Sequence, residues 1–539
     1  MNKRFLSTSL GLLLCLGCAA QNKNAAKFSS VINKDNAYKH LSVLASDEYE
    51  GRETGKKGAW MAADYIKNYF KSLGLKAPVN GEYFQPIDMV SYDVSNMALS
   101  VNGKTKTYAE DFVITSSTVP MGNFAFKTAE IVFAGYGMSK DGYDDFKGLN
   151  VAGKVVLIFS AGDPTLKGGA PAATDRAARR KLILNEQAKI QYLTEQKALA
   201  VIQIDPALDR MTPELKARYS GAGDPTLKTE ESTARMKKVK TIPSFRITTA
   251  LANEILQKSN TTVAALQEKI VSTVKPASQV IAINVEGTAA KTEVKLRAEN
   301  VLGFLEGSDP VLKDEILVVT GHYDHIGLTT SGADKVNNGA DDDGSGTTGV
   351  LLIADAFVKA KKAGKGPKRS ILFMTVVGEE KGLLGSEWYS EHPVFPLEKT
   401  ITDLNIDMIG RVDAAHANDQ EYIYIIGSDM LSSDLNALGI KANDENVKLN
   451  LDMRYNNRTD PNQFYYRSDH YNFAKHGIPV IFYFSGVHED YHQPGDEVSK
   501  INFDLLSKRA QLVYFTAWDL ANNAQRPVVD KNEDGTAKK

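Results

Sequence analysis

Four short apolar runs in the second half of the chain each stop abruptly on polar or charged residues. Residues 316–320 end at Gly321-His322 and 370–377 at Gly378-Glu379-Glu380; 404–408 carry Asp407, and 479–484 run toward Gly486 and His492. Unbroken, β-branched runs of this length read as strands buried on both faces of a parallel sheet. Residues 347–361 read as a helix opened by the acidic loop 337–343. Nearer the start, Ala59, Ala62, Ala63, Ile66, Tyr69, Phe70 and Leu73 recur at helical spacing over 58–73, with Gly74 suited to the C-cap. A second helix is expected over 36–45. From about 95 to 286 the texture changes to short strands and glycine turns, clearest at 131–137, 151–159 and 200–204. The pattern predicts an α/β protein. Its central sheet is mostly parallel with helices on both faces, and a smaller β-rich domain is inserted before the C-terminal half.

Open α/β sheets hold ligands just beyond the carboxyl ends of their strands. His322, Asp342, Glu379, Glu380, Asp407 and His492 all fall at or just past such ends, on one rim. His322 is followed two residues on by Asp324, and a metal-bound imidazole commonly donates its other ring nitrogen to a carboxylate. The triplet Asp341-Asp342-Asp343 concentrates negative charge that a cation would relieve.

At these residues the chain resembles the co-catalytic di-zinc exopeptidases that include bacterial leucyl aminopeptidase, aminopeptidase Y and glutamate carboxypeptidase. The matching segments are His322-Tyr-Asp324, Gly339-Ala-Asp-Asp-Asp-Gly-Ser-Gly346 and Glu379-Glu-Lys-Gly-Leu-Leu-Gly-Ser386. Asp407-Met408, Ser468-Asp-His470 and His492-Gln-Pro-Gly-Asp496 complete the series. The resemblance covers roughly residues 290 to 525. It implies two zinc ions per chain, with Asp342 bridging, His322 and Asp407 on one ion and Glu380 and His492 on the other. It further implies Glu379 as general base, Tyr465 as oxyanion stabiliser, and Asp324, Asp469 and His470 as supports behind the ligands. The implied activity is hydrolysis of peptide bonds at chain ends, an aminopeptidase foremost. A glutamate-type carboxypeptidase, a glutaminyl cyclase and a receptor-like binding protein on the same fold stand as alternatives. Retention of all five ligands and Glu379 argues against the last two.

Composition adds little to this. The 539 residues are 42% hydrophobic and 24% charged with a formal net charge of −2, ordinary for a globular protein and without a nucleic-acid footprint. The start is informative: Lys3-Arg4, an apolar run to Leu16, then Gly17-Cys18. The run is too short to span a bilayer and reads as a secretory signal. Gly17-Cys18 resembles a bacterial lipobox, which implies lipidation at Cys18, although Cys15 departs from the usual leucine. The expected partners are peptides and a lipid membrane, with no nucleic acid or nucleotide. The expected location is the bacterial cell envelope, anchored at the outer membrane and facing periplasm or cell surface. The expected order is a leader over 1–18, a polar tether over 19–35 and N-terminal helices over 36–94. An insert resembling a protease-associated domain follows over 95–286, expected to border the cleft, then the peptidase domain over 287–525 and a frayed tail over 526–539.

Several motifs compete with this reading. Gly344-Ser-Gly-Thr-Thr-Gly349 matches the dinucleotide fingerprint, but an acidic loop precedes it where a strand should, and that loop would repel a pyrophosphate. Ser468 beside Asp469 and His470 suggests a serine triad, yet adjacent residues cannot easily form that relay and no nucleophile elbow surrounds them. His325 and His488 are expected as walls or supports, His476 as a helix end, and His40, His392 and His416 as packing or surface residues.

Overall fold

The computed structural model describes residues 23–140, 142–165, 176–219, 223–238, 241–330 and 332–538. The leader and Cys18 lie outside them. The chain forms two compact units, 1–89 with 296–539, and 90–295. The expected insert is therefore about five residues longer at its start and nine at its end.

The first unit is built on eight strands: β1 (Phe84–Pro86), β2 (Glu299–Leu305), β3 (Ile316–His322), β4 (Ser370–Val376), β5 (Thr400–Ile406), β6 (Tyr422–Ile426), β7 (Asn450–Asp452) and β8 (Val480–Phe484). Their order across the sheet is β1-β2-β4-β3-β5-β8-β6-β7. The central pairs β4/β3, β3/β5 and β5/β8 are parallel, whereas β1/β2, β2/β4 and β6/β8 are antiparallel. The middle strands β3, β4, β5 and β8 are buried at every position, as the apolar runs of β3, β4 and β8 require, while β5 buries Asp403 and Asn405 as well. Helices Gly346–Lys362 and Phe503–Asn522 pack on one another and on the sheet, joined there by Lys34–Leu44 and Lys57–Leu73. Leu384–Glu391 and His470–Ala474 form a separate helical pair against β2, β5 and β8.

Two expectations at the chain ends are corrected. The polar stretch expected as a tether is helical over 23–29, because Ala25, Phe28 and Ile32 supply a buried apolar stripe. Gln511 Nε2 donates to the Ile32 carbonyl and ties this stretch to the last helix. The tail is likewise docked: Asp530 and Lys531 donate backbone N–H groups to Leu431 O, and Arg458 holds the Glu533 carbonyl at 2.7 Å. Its Asn532–Gly535 turn lets Lys531 pair back with Ala537.

The second unit carries a nine-stranded sheet. Gly122–Phe133, Val155–Phe159, Ala200–Ile204 and Ser244–Ile247 lie parallel in succession, and Gln279–Leu296 runs antiparallel to the first of them. Helices Thr249–Leu256 and Val263–Thr273 contribute Leu251, Ile255, Leu266 and Ile270 to its core.

Candidate metal centre

β3 delivers His322 as its last residue, with the ring buried and Nδ1 against the Asp324 carbonyl at 3.0 Å. That contact leaves Nε2 aimed into the site, 3.3 Å from Asp342 Oδ1 and 3.7 Å from Asp407 Oδ1. The other Asp342 oxygen, Oδ2, lies 3.1 Å from His492 Nε2, which also sits 3.1 Å from Glu380 Oε2. The two oxygens of Asp342 thus face two different imidazoles, each with its own second carboxylate. Neither His322 Nε2 nor His492 Nε2 has a hydrogen-bond partner among the described residues, though both are buried.

The flanking acids are committed elsewhere. Asp343 accepts three backbone N–H groups, from His322, Gly346 and Met408. Asp341 accepts from Ser345 Oγ and from Gly410 N at 2.6 Å. Asp343 also lies close enough to His322 and Asp407 to offer an oxygen to a common ion, and His325 does so with Asp342 and Glu380. Asp343 already holds three backbone donors, and His325 Nδ1 bonds Glu380 Oε1 at 2.8 Å. Both therefore act as supports of the site.

Two residues past the end of β4, the positive φ of 77° at Gly378 turns the chain, and a Cβ there would lie 3.1 Å from Leu384 Cβ. The turn presents Glu379 and Glu380 to different places. Glu380 meets His325 and His492, while Glu379 Oε2 stands 3.8 Å from His322 Nε2 and lines the open cleft. β5 is followed by Asp407, whose Oδ2 accepts from Ser468 Oγ at 2.7 Å; Ser468 in turn accepts from Asn405 Nδ2 at 2.9 Å. Met408 and His492, neighbours of or members of this constellation, both adopt positive φ, 56° and 58°. Such backbone costs on the order of 1 kcal/mol or more and collects at functional sites.

The electrostatics follow from an excess of buried carboxylates. Burial, reinforced by the Glu380, Asp407 and Asp469 carboxylates, pushes Glu379 well above the usual carboxyl range. Burial opposes protonation of His322, but Glu379 and Asp407 overcome it and raise the imidazole well above its ordinary value. His492 is raised to about 10, against burial, by Asp342 and Glu380. Asp342 is held well below the usual range, again against burial, by the two imidazoles that face its oxygens. Protons on the imidazoles offset negative charge that a divalent cation would offset better.

The supports come from several segments. The Asp324 carboxylate accepts from Thr54 Oγ1 at 2.5 Å and from Glu379 N at 3.4 Å. Asp469 accepts from Ser386 Oγ at 2.5 Å and, buried, is raised to about 7. His470 is buried and stacks on Phe482 with centroids 4.7 Å apart. Two residues escaped the sequence reading. Ser468, weighed there only as a nucleophile, steadies Asp407. Arg52 is buried and donates to four carbonyls: Tyr323, Leu44, Asn338 and Gly339. It clamps the loop before Asp342 to the strand end carrying His322. His416, expected as an ordinary residue, stacks on Tyr422 and lies within 3.2 Å of Asp413 and Asp452 oxygens.

Tyr465 requires a correction. It lies on a 3₁₀ turn, Phe464–Tyr466, in which residues three apart share a side. Phe464 and Arg467 therefore line the cleft, while Tyr465 is buried against Tyr466, His470 and Tyr471 and is not among the lining residues. The tyrosine that does line the cleft is Tyr491, stacked on His492 at 3.9 Å. Its phenol is raised by burial and then by Asp342, Glu380 and Glu379.

Residues 300–517 match the model of peptidase family M28. A probable zinc metalloprotease of Pyrenophora tritici-repentis is 26% identical over 285 residues, 46% of this chain and 56% of that protein. A probable leucine aminopeptidase 2 of Aspergillus oryzae is 28% identical over 249 residues, 42% of this chain and 45% of that one. The chain thus spans about half the length of these relatives. In fold it is similar to the aminopeptidase from Aneurinibacillus sp. strain AM-1, with a TM-score of 0.54 at 19% identity, covering 96% of this chain and all of that one.

Proposed function

We propose that this chain, a member of peptidase family M28 over residues 300–517, is a zinc-dependent exopeptidase that releases N-terminal residues from peptides. The observation that carries the reading is the Asp342 carboxylate, whose two oxygens face unpartnered nitrogens of His322 and His492 with Asp407 and Glu380 alongside. Three protein ligands around each of two positions, all nitrogen or carboxylate oxygen, fit zinc. His322, Asp407 and Asp342 would hold one ion, and Glu380, His492 and Asp342 the other. Zinc bound there would acidify water and polarise the scissile carbonyl.

The chain's own residues supply the remaining steps. Glu379 lines the cleft, is not engaged by an imidazole at hydrogen-bond distance, and has an elevated proton affinity. It takes the proton of the attacking water and returns it to the leaving amine, the task of a general base with a raised pKa. Tyr491 remains a phenol at neutral pH and donates to the oxygen on which charge develops. Ser468 and His325 fix Asp407 and Glu380 in orientation, as hydrogen-bonded partners of ligating groups do.

The unit 90–295 resembles a protease-associated domain, and Cys18 serves as the lipid attachment site of an exported envelope protein. A Cys18→Ser change should release the protein from membrane to soluble fractions; retention at the membrane would refute the anchor. For the activity, peptides with free amine, blocked amine and blocked carboxyl terminus are assayed with added zinc and with chelator. Cleavage confined to free-amine peptides and abolished by chelator is expected. Cleavage of amine-blocked peptides would instead favour the carboxypeptidase alternative.

A further inference from the structure

Beside the carboxylates Asp342, Glu379 and Asp407, the cleft is walled by Met408, Phe464, Phe482, Phe484, Val487 and Tyr491, and it encloses about 340 Å³ open to solvent. Its charged lining is one-sided except at a single point. Arg467 is the only cationic residue lining it, and its guanidinium sits over the Phe464 ring, 4.9 Å from the centroid. Arg467 is exposed, and among the described residues it makes no ion pair, although three carboxylates line the same cleft. The 3₁₀ turn explains the placement, since residues 464 and 467 stand one above the other. A guanidinium parked on an aromatic face keeps its planar edge free for a bidentate acceptor.

We propose that Arg467 is a specificity-determining residue that docks a carboxylate of the substrate. The inference rests on the peptidase reading above. A peptide entering this cleft carries an ammonium, for which Glu379 is a carboxylate partner, and Arg467 is the lining side chain that offers a cation to any carboxylate the peptide carries. The small cleft then favours substrates in which both charges lie close together, either as the C-terminal carboxylate of a dipeptide or as an acidic side chain after the scissile bond. Arg467 makes no contact with the reacting bond in this reading; it selects and positions.

The test compares kcat/KM on Leu-Leu with Leu-Leu-amide, and on Leu-Glu-amide with Leu-Gln-amide, in zinc-loaded full-length protein. A charge-assisted hydrogen bond is worth roughly 10- to 100-fold, so at least one acid should exceed its amide partner by about that factor, mainly through KM. A preference within the first pair identifies the terminal carboxylate, and within the second pair the side chain. Arg467→Met should collapse the favoured ratio toward one, and Arg467→Lys should restore part of it, which a merely structural role would not do. Equal rates on acid and amide in both pairs overturn the inference while leaving the peptidase reading intact. So does a preference that Arg467→Met leaves unchanged. Failure to cleave any of the four, with zinc bound, removes the peptidase reading and this inference with it.

Discussion

Replacing Ser468 by alanine separates two accounts of one hydroxyl. Ser468 Oγ donates to Asp407 Oδ2 at 2.7 Å and accepts from Asn405 Nδ2 at 2.9 Å, all three residues being buried. Behind Asn405, the Thr320 hydroxyl lies 2.8 Å from its amide oxygen, so a chain of polar groups runs from inside the sheet to a proposed ligand. A hydrogen bond to a charged acceptor contributes roughly 1.5–3 kcal/mol. If that contribution is felt when Asp407 binds its ion, zinc affinity falls by roughly 10- to 100-fold, the range seen for other partners of ligating groups. Ser468→Ala should therefore bind the ion proposed at Asp407 more weakly in competition with a chromogenic chelator. At saturating zinc its kcat should approach that of the parent. Unchanged zinc affinity would refute the positioning role. Loss of activity with both ions bound would mean that the hydroxyl takes part in the chemistry itself.

Glu379→Gln should keep both zinc ions and lose roughly 10²–10⁴-fold in kcat, whereas Glu380→Ala should lose zinc by elemental analysis; the reverse pattern would show the roles exchanged. Tyr491→Phe should lower kcat by roughly 10²–10³-fold, as for other oxyanion donors, while Tyr465→Phe should alter only stability, and a kcat loss confined to Tyr465→Phe would restore the discarded assignment. Arg52→Met leaves four buried carbonyls without their donor and should cost more than ~3 kcal/mol in urea unfolding; a cost below ~1 kcal/mol would refute the clamp. Burial lowers the folded-state pKa of His40 to about 4, so its contribution is complete above the unfolded value near 6.5 and is lost as pH falls toward 4. That loss reaches at most ~3 kcal/mol, and His40→Gln should flatten the stability profile over that window; an unchanged profile contradicts the assignment.

What could be read from the sequence was local. β3, β4 and β8 are largely apolar runs and were legible, β5 was legible only in its second half because Thr400, Thr402 and Asp403 interrupt it, and the residues that follow these strands fall on the same rim. The residues expected to hold metal lie on that rim with them. β6 was missed, although Tyr422–Ile426 is equally buried. What stayed hidden depended on direction or on distant partners. Tyr465 and Tyr491 are both aromatic neighbours of motif residues; the phase of a 3₁₀ turn points Tyr465 away from the cleft, and Tyr491 lines it from a separate turn. Arg52 reads as a surface charge until residues 323 and 338–339 fold around it. Residues 23–29 and the tail are polar overall, and their few apolar or turn residues mean something only once the surfaces that receive them exist.

The acidic triplet shows why geometry was needed to finish the assignment. Asp341, Asp342 and Asp343 are indistinguishable by composition and all are buried. What separates them is who donates to them. Asp343 is held by backbone N–H groups of His322, Gly346 and Met408, and Asp341 by Ser345 and Gly410. Backbone donors of this kind favour the charged form, yet burial still pushes Asp343 well above the usual carboxyl range. Asp342 has no backbone donor to its side chain among the described residues; its oxygens face only imidazole nitrogens, at 3.3 and 3.1 Å. Even its main chain is spoken for, because Asp496 accepts from the N–H groups of both Asp341 and Asp342. The loop is thus pinned on several sides, and the Asp342 carboxylate is left without a protein donor other than the imidazoles it faces. Burying such a group is costly unless something positive meets it. With the imidazoles neutral, as ligation requires, only metal cations are left to do so.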